Sequence, residues 1–159
     1  MILIADSSSL IALSICNQLD LLEKLFENVQ VPISVYNEID IPDKPESGKI
    51  KEFLQEKISK ADLSSYIIST LNLGKGELEA MALYKQVKAD YLLTDDKQAR
   101  KIAEYNKIKI VGSMGVLIMA KKQGLIKNLK PSLDAIYNSY IYISEDLYHY
   151  VLSVANENG

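Results

Sequence analysis

Short apolar segments alternate with helix-forming segments along most of this chain, and this alternation limits the possible folds more than any other feature. The apolar segments with a strand pattern are residues 2–5, 29–31, 89–93 and 108–111. Between them lie segments whose apolar residues recur at helical spacing. Such alternation is typical of a parallel sheet with helices on both faces. We therefore predict an α/β fold, a three-layer α/β/α sandwich with a mainly parallel central sheet.

The segments between these strands carry their own local signals. Two prolines and a glycine predict a loop over residues 40–48, and a surface helix is expected at 49–57. Residues 63–69 contain β-branched and aromatic residues and predict an edge strand. Near the end of the alternating region, Ser113 is predicted to cap a helix that Gly124 closes.

The final part of the chain, residues 131–159, departs from the alternating pattern. Its sequence predicts a helix, a short extended piece at 140–143, and a second helix that Ser144 caps. We therefore expect a domain at 1–126 and a helical C-terminal extension at 127–159 that packs on the same domain.

Composition limits the class of protein. The chain has 159 residues, of which 48% are hydrophobic, enough for one compact domain. A single cysteine, Cys16, excludes an intramolecular disulfide and offers no zinc cluster. No apolar run approaches the roughly 18 residues of a membrane span, so we expect a soluble cytoplasmic protein without membrane contact. The net charge of −3 argues against a protein that coats nucleic acid generally.

Five acidic residues stand where strands end or helices begin. Asp6 follows the first strand and the pair Asp95-Asp96 follows the third, whereas Glu38 and Glu77 lie near the starts of helices. Parallel α/β sheets place their sites at the carboxyl ends of strands. Carboxylates gathered there repel one another unless a cation lies between them, and Mg²⁺ and Mn²⁺ prefer such oxygen ligands. The pattern therefore predicts a metal-dependent enzyme.

Each acid also has a purely structural interpretation. Asp6 is suited to capping a helix, and Glu77 to the positive end of a helix dipole. Glu38 and Glu79 are also consistent with exposed helix residues. Because residues two apart on a helix lie about 200° apart, only one of Glu77 and Glu79 is expected to face a common site. The single histidine, His149, is expected at the surface or in packing rather than in catalysis.

Five ordered motifs resemble those of the PIN-domain family of metal-dependent nucleases. They are IADSS at 4–8, VPISVYNE at 31–38, LGKGELEA at 73–80, ADYLLTDD at 89–96 and VGSMGVL at 111–117. The last three are similar to one branch in particular, DUF3368, which is related to VapC-like toxins. The resemblance runs from residue 2 to about residue 126 and more weakly through the tail.

The resemblance implies a divalent-metal-dependent ribonuclease that hydrolyses RNA phosphodiester bonds with Mg²⁺ or Mn²⁺. Asp6 would be the central metal ligand, with Glu38 and Glu77 completing the set. Asp96 would hold a second metal, and Asp95 would bind metal or orient a metal-bound water. The family usually has Asp where this chain has Glu77, which shifts the carboxylate outward and affects metal affinity.

Substrate contacts and partners follow from the same resemblance. Ser7, Ser8 and Thr94 would donate hydrogen bonds to the carboxylates or to a substrate phosphate. Arg100 is placed either to bind a phosphate or to pair with Asp96. The basic residues after Asp96 are interpreted with equal weight as a phosphate-binding rim or as solvated helix faces. The protein is expected to be a homodimer and to act as the toxin of a toxin–antitoxin pair, neutralised by a small antitoxin protein.

Two other hypotheses remain open at this point. The first is a catalytically weak PIN-fold module that binds nucleic acid or protein without turnover, which the Glu77 departure and the acidic pI favour. The second is a different α/β fold, such as a receiver or phosphohydrolase domain, although the order of the acidic residues fits both poorly. The tyrosine-bearing segment 133–143 is predicted to complete the core, with a dimer or antitoxin contact as the alternative.

Overall fold

A single parallel sheet organises the protein. The computed structural model describes residues 1–39, 46–63 and 73–157. In these residues five strands pair in parallel in the order β3-β2-β1-β4-β5. Their bounds are β1 Ile2–Ala5, β2 Asn28–Pro32, β3 Ile58–Ser59, β4 Tyr91–Leu93 and β5 Ile110–Val111. The predicted parallel sheet is confirmed.

Helices flank this sheet and complete the predicted α/β/α arrangement. Within the described ranges their bounds are α1 Ser7–Ile15, α2 Asp20–Phe26, α3 Ile33–Glu38, α4 Glu46–Leu54, α5 Lys75–Val87, α6 Lys97–Tyr105, α7 Ser113–Lys122, α8 Lys130–Tyr137 and α9 Glu145–Val154. Not one of these helices has the length and apolar character needed to cross a membrane.

The central strand β1 sends its side chains into two separate apolar clusters. Leu3 and Ala5 belong to one cluster and Ile4 to the other, as the alternation of side chains along a strand requires. All three residues are completely buried. Because both faces of β1 are covered, its sequence is a continuous apolar run rather than an alternating one.

The register of the sheet sets the position of the strand ends. Leu3 of β1 pairs with Tyr91 of β4, and Ala5 pairs with Leu93. The carboxyl ends of these two strands are therefore level. As a result, Asp6 and Thr94, the first residues after the two strands, lie side by side.

Some local predictions were wrong in their bounds. The helix α4 begins at Glu46, so the predicted loop at 40–48 is too long at its carboxyl end. Its Ile50 and Leu54 are fully buried while Lys49 and Glu52 are exposed, so α4 is a surface helix with one face packed on the core. The strand β3 was not predicted, and the edge strand expected at 63–69 falls, except for Leu63, outside the described residues.

The C-terminal segment contributes to the core and also exposes tyrosines. Leu133 and Ile136 of α8 are fully buried in the cluster that contains Leu3. Tyr140 and Tyr142, by contrast, are 55% and 88% exposed. In the piece predicted as extended at 140–143, residues 140 and 141 form bends, residues 142 and 143 have no regular secondary structure, and no strand of the described chain pairs with it.

The capping predictions had mixed outcomes. Ser144 caps α9 as predicted, and its Oγ accepts a hydrogen bond from the backbone N–H of Leu147 at 3.1 Å. Gly124 has a φ of +75°, the left-handed conformation expected after a helix. Ser113, however, is the first helical residue of α7, and Gly112 is the N-cap. The Ser113 hydroxyl does not cap the helix but donates a hydrogen bond to Asp95.

The buried side chain of Glu157 binds the C-terminal segment to α7 and to the start of α8. The Glu157 side chain, only 8% exposed, forms an ion pair with Lys121 Nζ at 2.8 Å. It also accepts hydrogen bonds from the backbone N–H groups of Leu129 (2.8 Å) and Lys130 (3.0 Å). Burial alone would raise the pKa of Glu157, but the donors from Lys121, Leu129 and Lys130 outweigh it and lower the pKa below 4.5.

Replacing Glu157 with Ala is therefore expected to lower the free energy of unfolding by about 3 kcal/mol, because Lys121 loses its buried partner. Since the folded-state pKa of Glu157 is lowered, its contribution is present above pH 4.5 and is lost as the pH falls below that value. Urea denaturation at pH 7 and at pH 3 measures both effects. Glu145→Ala is the control, since that side chain is 78% exposed. Equal stabilities of the two variants at pH 7 would contradict this assignment.

Candidate functional site

Asp6 is the most buried acidic residue in the described part of the chain, and hydrogen bonds hold its side chain in place. It follows the central strand, caps α1 and is only 3% exposed. Its backbone N–H donates to Leu93 O at 2.9 Å. Its Oδ1 accepts from the backbone N–H of Ser7 at 2.8 Å, and its Oδ2 accepts from Thr94 Oγ1 at 2.9 Å. Donors that follow two neighbouring strands therefore fix both oxygens.

The charge on Asp6 is not balanced by these contacts. The pKa of Asp6 is raised from 3.8 to about 6. Burial is the largest cause and the nearby charges of Glu77 and Glu38 add to it, whereas the hydrogen bonds from Ser7 and Thr94 oppose it. An ionised carboxylate in such surroundings is favoured only when a cation approaches it. The position therefore has the electrostatics of a cation site.

Glu38, at the end of α3, is tied to the same region. Its Oε1 accepts from the backbone N–H of Gly76 at 3.0 Å, and its Oε2 accepts from Ser7 Oγ at 3.3 Å. Desolvation, followed by the charge of Glu77, raises the pKa of Glu38. A Cβ on residue 76 would lie 2.7 Å from the carboxyl carbon of Glu38, so only glycine allows this approach. Ser7 thus links Asp6 to Glu38.

The two glutamates at the start of α5 differ in their surroundings. Glu77 lies in the first turn and is half-buried, and its Oε2 occupies the space that a Cβ on Gly74 would take. It is folded back over the beginning of its own helix. Even so, its charge acts on both Asp6 and Glu38.

Glu79, unlike Glu77, is buried. It is 7% exposed, and its Oε2 has no hydrogen-bond partner among the described residues. Its charge also raises the pKa of Glu38. The signal that was available is its spacing: Glu79 lies three residues after the buried Gly76 and four before the buried Leu83, on the inward stripe of α5. The interpretation of Glu79 as an exposed helix residue was wrong.

Thr94 connects the acidic cluster to the end of β4. Its hydroxyl donates to Asp6 and accepts from the backbone N–H of Asp96 at 3.2 Å. The Asp96 side chain caps α6, where Oδ1 accepts from the backbone N–H of Gln98 at 3.0 Å. The ion pair considered between Asp96 and Arg100 is not formed in the part of the chain that the structure describes.

Asp95 points away from this cluster toward α7. Its Oδ1 accepts from the backbone N–H of Ser113 and its Oδ2 from Ser113 Oγ, both at 2.7 Å. Its own backbone N–H donates to Ser8 Oγ at 3.1 Å. Gly112 lies beside both Asp95 and Arg100, since a Cβ on that residue would be 2.7 Å from Asp95 Oδ1 and 3.9 Å from an Arg100 terminal nitrogen. Asp95 therefore links β4 to α7.

The acidic side chains match Mg²⁺ or Mn²⁺ in charge and in donor type. All the candidate ligands are carboxylates, and Glu79 retains an unpartnered oxygen. Within residues 1–39, 46–63 and 73–157, however, no three Asp, Glu, His or Cys side chains are grouped as a metal site in their present rotamers. Convergence on one ion requires Glu38 and Glu77 to rotate toward Asp6, and neither side chain is fully buried.

Comparison with known proteins adds one finding. A family model described as "DUF3368: PIN domain" matches residues 2–157. The matched span includes the acidic cluster, both strand ends that form it, and helices α8 and α9. The search of curated proteins found no match.

Replacing Asp6 with Asn is expected to stabilise the metal-free protein at pH 7.5 by on the order of 1–3 kcal/mol, because it removes a buried charge. Since the folded-state pKa is about 6 against an ordinary 3.8, the penalty is absent below pH 3.8, grows between pH 3.8 and 6, and is constant above that range. Urea denaturation in EDTA at pH 4 and pH 7.5 measures the difference between wild type and variant. A variant that is equally destabilised at both pH values would contradict this electrostatic account.

Proposed function

We propose that this chain, which belongs to the DUF3368 family of PIN domains, is a divalent-metal-dependent ribonuclease that hydrolyses RNA phosphodiester bonds. PIN domains are a nuclease-type fold. The observation that supports the proposal most strongly is the buried, uncompensated carboxylate of Asp6, with Glu38 and Glu77 beside it at the end of the central strand.

Charge supports a role for metal in this reaction. A phosphodiester is anionic, and the cluster of Asp6, Glu38, Glu77 and Glu79 would repel it unless a cation intervened. Asp6, Glu38 and Glu77 would hold Mg²⁺ or Mn²⁺, and Asp96 would extend the set from the end of β4. Asp95 would join it only by giving up its hydrogen bonds from Ser113. When bound there, the ion would neutralise charge on the phosphate and lower the pKa of the attacking water.

The other polar residues of the site orient the carboxylates. Ser7 donates to Asp6 through its backbone N–H and to Glu38 through its hydroxyl, which limits the freedom of both carboxylates. Thr94 does the same for Asp6 from the neighbouring strand end. Ser8 accepts from Asp95 and keeps its own hydroxyl proton for donation to a substrate phosphate. Arg100 lies next to Gly112 and Asp95. From there it would contact another phosphate of the same RNA chain.

We extend the proposal to the biological role that the sequence resemblance implies. RNA would be the substrate, and the cytoplasm is the location that we propose. The protein would act as the toxin of a toxin–antitoxin pair, with a small antitoxin protein and a second copy of the chain as partners. The motif resemblance to VapC-like toxins supports this role and these partners.

One observation favours a second candidate function, a PIN-fold module that binds nucleic acid or protein with weak or no catalysis. Glu77 stands where the family usually has Asp, and its carboxylate folds back over the start of α5. A side chain held in this way is a weaker metal ligand than one directed at Asp6. Turnover of RNA distinguishes the two candidates.

Cleavage of a fluorescent RNA panel with Mn²⁺, with Mg²⁺ and with EDTA tests the leading proposal. We expect cleavage by the wild type only with metal, and a loss of about 100-fold or more in Asp6→Asn, because the central ligand loses its charge. Asp20→Asn is the matched control, since the same change is made on an exposed side chain of α2.

Either of two results would reject the nuclease. Equal cleavage by wild type and Asp6→Asn would place the activity elsewhere or in a contaminant. The absence of cleavage with every RNA and both metals, from a protein that unfolds cooperatively, would favour the binding module.

A further inference from the structure

A cavity of about 500 Å³ lies between the end of β5, the start of α7 and the C-terminal segment. Sites for small organic groups commonly have volumes of about 300–1,000 Å³. Asp95, which follows β4, forms part of its wall, so the cavity lies at the same carboxyl edge of the sheet as the proposed site.

One end of the cavity is polar and carries positive charge. Lys97 and Arg100 line it together with Asp95 and Ser113. The two cations outnumber the single carboxylate, and both Asp95 oxygens accept hydrogen bonds from Ser113. This end of the cavity is complementary to a phosphate group.

The rest of the cavity is apolar and has aromatic rings at its rim. Met114 and Ile118 of α7 form one wall, and Ile141 contributes from the opposite side. Tyr142 and Tyr150 also line the cavity and are 88% and 63% exposed. Exposed aromatic rings beside an apolar wall are the surfaces on which unstacked bases of single-stranded RNA stack.

We propose that this cavity is a nucleobase subsite that takes one unstacked base of a single-stranded RNA substrate. The base enters between Tyr142, Tyr150 and the apolar wall, while its phosphate lies against Lys97 and Arg100. The backbone then continues past Asp95 toward Asp6. The proposal rests on the proposed ribonuclease function for the class of ligand, and it names the part of the substrate that the C-terminal segment recognises.

The combination of features favours RNA over a protein segment as the occupant. An apolar peptide would use the wall but would bring no anion to Lys97 and Arg100. A nucleotide uses both, because its base is flat and apolar on its faces and its phosphate is anionic.

The chain contains no tryptophan, so an introduced Trp is a unique fluorescent reporter. We would titrate Tyr142→Trp with hexaribonucleotides of adenosine, cytidine, guanosine and uridine in EDTA, which prevents cleavage. Saturable quenching by at least one of them is expected, because a base stacks on the indole ring. Tyr105→Trp is the control: Tyr105 is 75% exposed on α6 and does not line the cavity.

Alanine variants measure how much the rim contributes. Tyr142→Ala and Tyr150→Ala are each expected to weaken binding of the best hexanucleotide about fivefold or more, as removal of a stacking ring does. Tyr105→Ala should bind as the wild type does. If Tyr142→Ala and Tyr150→Ala bind every hexanucleotide as tightly as the wild type, the subsite is rejected. The Trp fluorescence of Tyr142→Trp could also fall as the protein concentration rises, without RNA. That result would identify a contact between copies of the chain and would overturn the subsite.

The two proposals fail in different ways. Metal-dependent cleavage that Asp6→Asn abolishes, with unchanged hexanucleotide affinity in both rim variants, keeps the nuclease and rejects the subsite. Rim-dependent binding of a hexanucleotide, without cleavage of any RNA, keeps the subsite and rejects the nuclease.

Discussion

The buried carboxylate of Asp6 is the constraint on which the site depends. Its two oxygens are fixed by donors from Ser7 and Thr94, at the ends of two paired strands. The parallel register makes those strand ends level, so the fold itself brings the carboxylate and its donors together. Burial then raises the free energy of the charged form, and the surrounding acids raise it further. A cation is the simplest compensation.

Much of the fold could be predicted because its signals are local. The strand at 2–5 has the predicted bounds, since an uninterrupted apolar run defines it. The strand β3 could not be predicted in the same way. It has two residues and exists because it pairs with β2, which is a tertiary contact that no local pattern records.

The sequence names the candidate residues of the site but not the orientation of their side chains. Strand ends and motif order identify Asp6, Glu38 and the pair Asp95-Asp96 as candidates. Whether a side chain turns inward depends on packing: Glu79 is buried by its position on α5, whereas Asp95 is drawn toward Ser113 by two hydrogen bonds. A pattern of residue types does not encode these choices, which arise where separate elements meet.

The proton balance of metal binding tests the central claim most directly. Mn²⁺ must displace the proton from Asp6, so calorimetry in buffers of different ionisation enthalpy should show release of about half a proton or more per ion near pH 6. The release should decline toward pH 8, and Asp6→Asn should bind Mn²⁺ far more weakly. Unchanged Mn²⁺ affinity and proton release in Asp6→Asn would contradict the account, because the buried carboxylate would then not be the group that the cation compensates.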